Sequence, residues 1–456
     1  VCAATPGPRH DDEGAHPMTA DSGPNPLACT EGVALPRGSS DLMPPAYRLR
    51  RALTSGLLAT FESWGYEPVA TPAIEYFDVL ARGLSEDDRR GSVRFIAAGS
   101  GELVSLRADV TPQIVRMMAQ RWGGELASDV VHRFSYAADV LRQPQTPRQQ
   151  AEGHQVGVEL VGDDHPAADA EMVALAEAAL RGAGLSEFRL DLAHTGLVRG
   201  LLDTLHASAA ERAELRALLA RKDRGGVLHA LGAARASTPI GIALGGLCDL
   251  FGPVGEVLPR ARQVLAGVGV DAELQQLEAV LQQLGRMDQG RADADSLRSR
   301  LTIDLGEARG YDYYSGMRLR GWAPGVPDPV VRGGRYDGLP GRYGVPRPAT
   351  GFAIDLHALE RGLTEQGRGT ASIEVTPGHL VVVADGEPEA RAQAHALACE
   401  ARTQGRRAWV QPGVTMARAR TLAEAAGADR ITFVDERGTT EWARGPQGWE
   451  RGRETP

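Results

Sequence analysis

Arg309-Gly310-Tyr311-Asp312-Tyr313-Tyr314-Ser315-Gly316 has an echo in Arg332-Gly333-Gly334-Arg335-Tyr336-Asp337-Gly338-Leu339. Between them, residues 317–322 alternate with period two, which predicts a strand. The glycines permit φ > 0 or a close approach of backbone to a ligand. Two Tyr-Asp pairs on neighbouring strands would line one pocket with phenols and carboxylates, with arginine supplying positive charge. That combination suits a small polar zwitterion better than a lipid or a polymer. Either run alone reads equally well as a turn with structural tyrosines.

Outward from this stretch, 456 residues suffice for two or three domains, each with its own core. A net charge of -9 argues against broad phosphate neutralisation. Lys222 is the sole lysine in a chain whose other basic residues are arginine. Cys2, Cys29, Cys248 and Cys399 lie far apart, without metal-ligand spacing, and the histidines are scattered. No metal, cofactor or disulfide framework is expected. No apolar run approaches the roughly 18 residues that would span a membrane, so a soluble cytoplasmic protein is expected. Residues 1–33 are rich in Pro, Gly, Ala and Asp without period and read as a disordered tail, with Met18 as the expected initiator.

Leu49, Leu53, Leu57, Phe61 and Trp64 form one stripe of a helix that Gly65 ends. Pro68 and Pro72 mark the following segment as an edge strand or interface arm. Residues 93–97 and 102–106 read as a strand pair. A helix then begins near Thr111, a plausible N-cap with Pro112 at the first helical position. Asp109 at that point suits the positive end of a helix. Residues 130–162 read as two strands around a loop, and their alternation sends Gln155, Gly157 and Glu159 to one face. From 196 to 285 the pattern is helical. The glycine-rich stretch 241–255 reads as a loop between helices, with no phosphate-binding fingerprint. Residues 301–305 alternate as a strand, and 349–359 run from a strand into a helix. Beyond 369 strands and helices alternate, which predicts a small parallel sheet. Its helix 387–403 presents Ala392, His395, Ala396 and Cys399 along one side.

The Arg309 and Arg332 runs resemble the histidine-specific signatures of histidyl-tRNA synthetases. The segment with two prolines resembles class II motif 1, 130–162 resembles motif 2, and 349–359 lies at the place of motif 3. The resemblance covers residues 35–363. It implies an α+β fold: a class II synthetase-like antiparallel sheet with flanking helices (34–195 and 296–368), a helical insertion (196–295), and a small C-terminal α/β domain like a reduced anticodon-binding domain (369–456). It also implies a histidine site of Asp109, Thr111, Arg142, Gln155, Glu159, Arg309, Tyr313, Tyr314 and Tyr336. There Asp109 would receive the amino group, Arg142 the carboxylate, and Gln155 and Glu159 would contact bound histidine.

The ATP half departs from the synthetase pattern. Pro144 stands where motif 2 has a glutamate, the loop around Arg148 matches poorly, and Ala358 replaces the motif 3 arginine, with His357 before it. Alanine offers no charged donor to a phosphate. Arg361 lies about 300° further round the helix, a poor substitute. A chain that keeps histidine selection and lacks adenylation resembles the regulatory-subunit family of ATP phosphoribosyltransferase. Such a protein would have no chemistry of its own. It would bind histidine as effector and assemble, as a homodimer within a larger hetero-oligomer, with a short catalytic phosphoribosyltransferase in histidine biosynthesis. No tRNA is expected as partner, because the C-terminal unit lacks a concentrated basic face. The alternative is a histidyl-tRNA synthetase or a histidyl-adenylate-forming paralog.

Overall fold

The computed structural model describes residues 35–122, 130–144, 150–289, 296–308, 314–369, 378–383, 388–435, 438–446 and 448–455. The chain opens with α1 (Ala46–Ser63), β1 (Glu67–Pro68), β2 (Ile74–Tyr76), α2 (Phe77–Leu80), α3 (Glu86–Arg90), β3 (Arg94–Ile96) and β4 (Leu103–Leu106). Then come α4 (Thr111–Trp122), β5 (His132–Leu141), β6 (Glu152–Val161), α5 (Pro166–Gly182) and β7 (Arg189–His194). A helical run follows: α6 (Thr195–Thr204), α7 (Ala209–Ala220), α8 (Arg224–Ala236), α9 (Pro239–Leu247), the short β8 (Phe251–Pro253), α10 (Val254–Val264) and α11 (Asp271–Met287). The chain returns through β9 (Leu301–Asp304), β10 (Met317–Trp322), β11 (Val331–Arg335), α12 (Gly338–Gly341), β12 (Ala349–Asp355) and α13 (Leu356–Glu365). The last unit holds β13 (Gly378–Val383), α14 (Pro388–Thr403), β14 (Arg407–Pro412), α15 (Met416–Ala426), β15 (Ala428–Asp435), β16 (Gly438–Gly445) and β17 (Gly448–Thr455).

Nine strands form the main sheet in the order β1-β5-β6-β12-β11-β10-β7-β9-β8. It is antiparallel except for β1 on β5 and β7 beside β9. The proline-bearing β1 lies at the edge, where a missing N–H costs no ladder bond. One face of the sheet is apolar: Val156, Val158 and Leu160 of β6, Phe352 and Ile354 of β12, Met317 and Leu319 of β10, and Leu190 and Leu192 of β7 are all buried. Helices α1, α5 and α13 pack in the layer over this face. Leu49, Leu53, Leu57 and Phe61 of α1 are buried as the stripe predicts, and Phe61 meets Phe352 edge-on at 5.8 Å. Trp64 falls outside the stripe: it caps the helix and is 36% exposed, because Gly65 at φ 84 turns the chain away. Period-two alternation sends the intervening polar residues to the opposite face, where a one-residue slip would invert both faces.

Three expectations are corrected. The glycine-rich stretch 241–255 is not a loop. Thr238 caps α9 and Pro239 opens it, and its glycines allow close packing. A Cβ on Gly241 would collide with the Arg235 carbonyl, and one on Gly246 would sit 2.7 Å from Val264. The remainder contributes β8 and the start of α10. In the C-terminal unit the sheet order is β14-β13-β15-β16-β17, parallel through the first three strands and antiparallel in the final hairpin, so the sheet is mixed. The buried side of α14 is Ala390, Ala394, Ala398 and Ala401, not Ala392, His395, Ala396 and Cys399. A helix so rich in alanine has too little contrast to orient from sequence. Among the described residues no helix is long and apolar enough to cross a membrane.

The α1–sheet contact is the mechanical base of the polar face. Phe61→Ala is expected to cost about 3–5 kcal/mol, as for a large aromatic lost from a packed core. A urea melt followed by circular dichroism reads this directly, and a loss below about 1 kcal/mol would show that the α1 packing is dispensable.

Candidate functional site

A single cross-strand row builds the site on the polar face. Phe134 pairs with Glu159, Glu159 with Gly351, Gly351 with Gly334, and Gly334 with Arg318. Three strand spacings, about 14 Å of backbone, thus separate the Glu159 and Arg318 positions on the sheet, with two glycines between them. The glycines are required. A Cβ on Gly351 would collide with the Glu159 carboxylate, and one on Gly334, held at φ 147, would strike the Met317 carbonyl and lie 2.9 Å from the Tyr314 ring. Along β6 a third glycine, Gly157, gives way to the Tyr136 hydroxyl. The result is a polar trough in the sheet surface, acidic at one end and basic at the other, in which the Glu159 carboxylate, the Tyr314 ring and the Tyr136 hydroxyl lie over the glycines and Tyr336 closes against the acid.

Glu159 is 1% exposed. Its Oε1 accepts from the Thr111 hydroxyl at 2.5 Å, and its Oε2 accepts from the Tyr336 hydroxyl. Burial pushes its carboxyl up to about 8, reinforced by Asp109 and opposed by the Thr111 and Tyr336 hydroxyls. Asp109, just before α4, accepts the Val110 N–H at 2.8 Å. Burial raises it to about 6, with Asp88 adding to the shift and Arg142 opposing it. At neutral pH the Glu159 carboxyl, raised to about 8, holds its proton, whereas Asp109, raised to about 6, is mostly ionised. Tyr314 lies over Gly334, its hydroxyl pushed up to about 12, first by burial, while the Arg318 guanidinium stands 5.5 Å from its ring. Arg318 and Arg320 both pair with the buried Glu307, at 3.3 and 2.6 Å.

Of the residues expected at the site, Asp109, Thr111, Glu159, Tyr314 and Tyr336 converge. Gln155 lies further along β6 on the same face, its Oε1 buried without a hydrogen-bond partner among the described residues. Arg142, at the end of β5, pairs with Asp88 at 3.1 Å and influences Asp109. Arg309, Tyr313 and Arg148 lie outside the described residues. Thr111 is not an N-cap: it is the first residue of α4, and its hydroxyl is committed to Glu159 across the strand. Ala358 is buried in α13, its N–H capped by Asp355 at 3.1 Å, and Arg361 is exposed. Tyr136 and Arg318 went unread in the sequence. The alternation Phe134, Tyr136, Ala138 carried a signal for the first; the second depends on register between distant strands.

The chain matches the family model described as histidyl-tRNA synthetase over residues 38–359. A Geobacter metallireducens protein called ATP phosphoribosyltransferase regulatory subunit is 37% identical over 73% of this chain and 74% of its own length. An Anaeromyxobacter dehalogenans protein of the same description is 37% identical over 74% of this chain and 94% of its own. Among solved structures, a Bacillus halodurans C protein described as an ATP phosphoribosyltransferase regulatory subunit/histidyl-tRNA synthetase superposes with TM-score 0.72 at 24% identity, covering 89% of this chain and 99% of that one, a likeness of fold. A histidine–tRNA ligase subunit of Alicyclobacillus acidocaldarius gives 0.61 at 29% identity, over 75% and 100%.

Because the Glu159 carboxyl is raised, its contribution to stability is complete below the unfolded carboxyl range and is lost as pH climbs through about 8. The gap in melting temperature between Glu159→Gln and the parent should therefore move in favour of the variant by a few degrees from about pH 5 to about pH 9. A gap independent of pH would contradict the buried, protonated acid. The family-model match over residues 38–359 and the relatives at 37% identity agree, and the chain belongs to the family of ATP phosphoribosyltransferase regulatory subunits.

Proposed function

We propose that this chain is a non-catalytic regulatory subunit of ATP phosphoribosyltransferase that binds histidine in the Glu159 trough and conveys feedback inhibition of the first step of histidine biosynthesis. The observation that carries the reading is the glycine-floored row with an acid at one end and arginine at the other. The ammonium of an amino acid suits the acidic end of that row, which an extended ligand would leave towards the basic end, and hydroxyls and an amide beside the acid suit the donor and acceptor of an imidazole. The ammonium would seat against Glu159 and Asp109. With Ala358 in the place of the motif 3 arginine, the pyrophosphate of ATP would lack a charged clamp, and synthetase activity is read as lost. The partner is a short catalytic phosphoribosyltransferase in the cytoplasm, with histidine shifting the assembly because it binds its inhibited and active forms unequally. A second copy would cover the small sheet β2-β4-β3, where Ile74, Tyr76, Phe95, Ile96 and Leu103 are exposed. No tRNA is read as a ligand.

Histidine titrated calorimetrically into the purified chain, beside histidine-dependent ATP–pyrophosphate exchange, tests the reading. Binding without exchange is expected; robust exchange would mean an adenylate-forming enzyme instead. Glu159→Ala should weaken histidine binding at least about a hundredfold, the loss of a buried charge partner, while leaving assembly with the catalytic chain intact. Since the ammonium demands ionised carboxylates, binding should release protons and tighten from about pH 6.5 to about pH 8.5. Titrations in buffers of different ionisation enthalpy count those protons, and a release of zero would place the ligand elsewhere.

A further inference from the structure

Residues 314–316 hang between two elements. On one side the Tyr314 carbonyl accepts from the Arg199 guanidinium at 2.8 Å and from the Thr195 hydroxyl at 3.1 Å, both on α6. The Gly316 carbonyl accepts the Thr195 N–H at 3.0 Å, with the Thr195 hydroxyl also at 3.1 Å. On the other side Ser315 N–H donates to the Arg335 carbonyl at 2.7 Å, and the Ser315 hydroxyl accepts the Asp337 N–H at 2.8 Å. Asp337 follows Tyr336, the residue whose hydroxyl holds Glu159. The main chain of Tyr314 is thus held from α6, and that of Tyr336 by its N–H on the Ala349 carbonyl of β12 at 2.8 Å. The start of α6 is itself tied down: His194, paired with Met317 across the sheet, places its Nε2 3.0 Å from Gln276 Oε1 on α11. That amide oxygen can only accept, so Nε2 carries the proton.

We propose that Arg199, supported by Thr195, is a positioning residue: it sets the height of the Tyr314 ring over the trough and thereby couples occupancy of the site to the first helix of the helical run. The inference rests on the reading of the trough as a histidine site. A charged donor on a neutral carbonyl is a strong tether, and the tether is in main chain, where it acts on the ring's position without adding a side chain to the trough. If the tether transmits order, a ligand that orders Tyr314 orders α6 by the same coupling free energy. Occupancy would then be expressed on the helices beyond β7, on a surface remote from the trough. Spatial adjacency alone does not establish coupling, so the test measures it.

The full chain, Arg199→Met, Arg199→Lys, Tyr314→Phe and the Arg199→Met/Tyr314→Phe double variant are titrated with L-histidine, and amide exchange of residues 195–204 is followed with and without histidine. Arg199→Met is expected to weaken binding about tenfold, and Arg199→Lys to recover most of it, because a lysine restores a charged donor. The double variant should lose less than the product of the two single losses, since both act through one residue. Histidine should slow exchange in 195–204 of the parent and leave it unchanged in Arg199→Met. Parent-like binding by Arg199→Met, or equal losses for Met and Lys accompanied by a lowered melting temperature, would overturn the inference. Absence of binding by the parent chain would instead overturn the histidine reading, and this inference with it.

Discussion

A buried carboxylate has to be satisfied where it stands, and the architecture around Glu159 follows from that constraint. Fully desolvated, it can be tolerated only as a neutral acid or among donors. The Thr111 and Tyr336 hydroxyls supply donors from two elements far apart in the chain, the start of α4 and the turn after β11. Those elements are held at the right height by the sheet, because β6 lies between β5 and β12 in a register that puts Gly351 beside the acid. Any side chain at Gly351 would occupy the carboxylate's own space. Charge, hydroxyl and glycine are parts of one arrangement.

The two faces of the sheet divide the work. The helix-covered face is mostly hydrocarbon from α1 through β6, β12, β10 and β7, interrupted by the buried Arg335–Asp169 pair between β11 and α5, and its burial provides the stability that lets the opposite face carry ionisable groups. On that opposite face acids and bases are arranged in rows: Glu159 across from Arg318, then Arg320 and Arg318 sharing Glu307. Strands set these distances with the rigidity a ligand site needs, since the spacing between neighbours in a sheet varies little. On α13, Ala358 is packed into the core and brings no charge to the polar face.

Local pattern was a good guide wherever periodicity and side-chain contrast coincided. The stripe on α1, the alternation in β6 and the strand 317–322 were legible because apolar and polar residues recur at the period of the element itself. Composition misled where contrast failed. Glycines at 241, 245 and 246 looked like a loop, yet they are the contact surface of α9 against α8 and α10. An alanine-rich α14 concealed its inward face, and the β16–β17 hairpin escaped notice because its glycine, threonine, glutamate and arginine residues carry little apolar–polar alternation.

By itself, the sequence determined the family, the order of most elements and the identity of the residues that face the trough from β6, because these depend on contiguous motifs and short periods. Only the tertiary structure decided which residues are partners. Thr111 became a donor to Glu159 rather than a helix cap, Tyr136 joined the wall, Arg318 became the basic end, and Arg199 reached the Tyr314 carbonyl. Each of those relations joins positions separated by tens to hundreds of residues. Cross-strand register and helix packing create them, and neither leaves a trace in a local window.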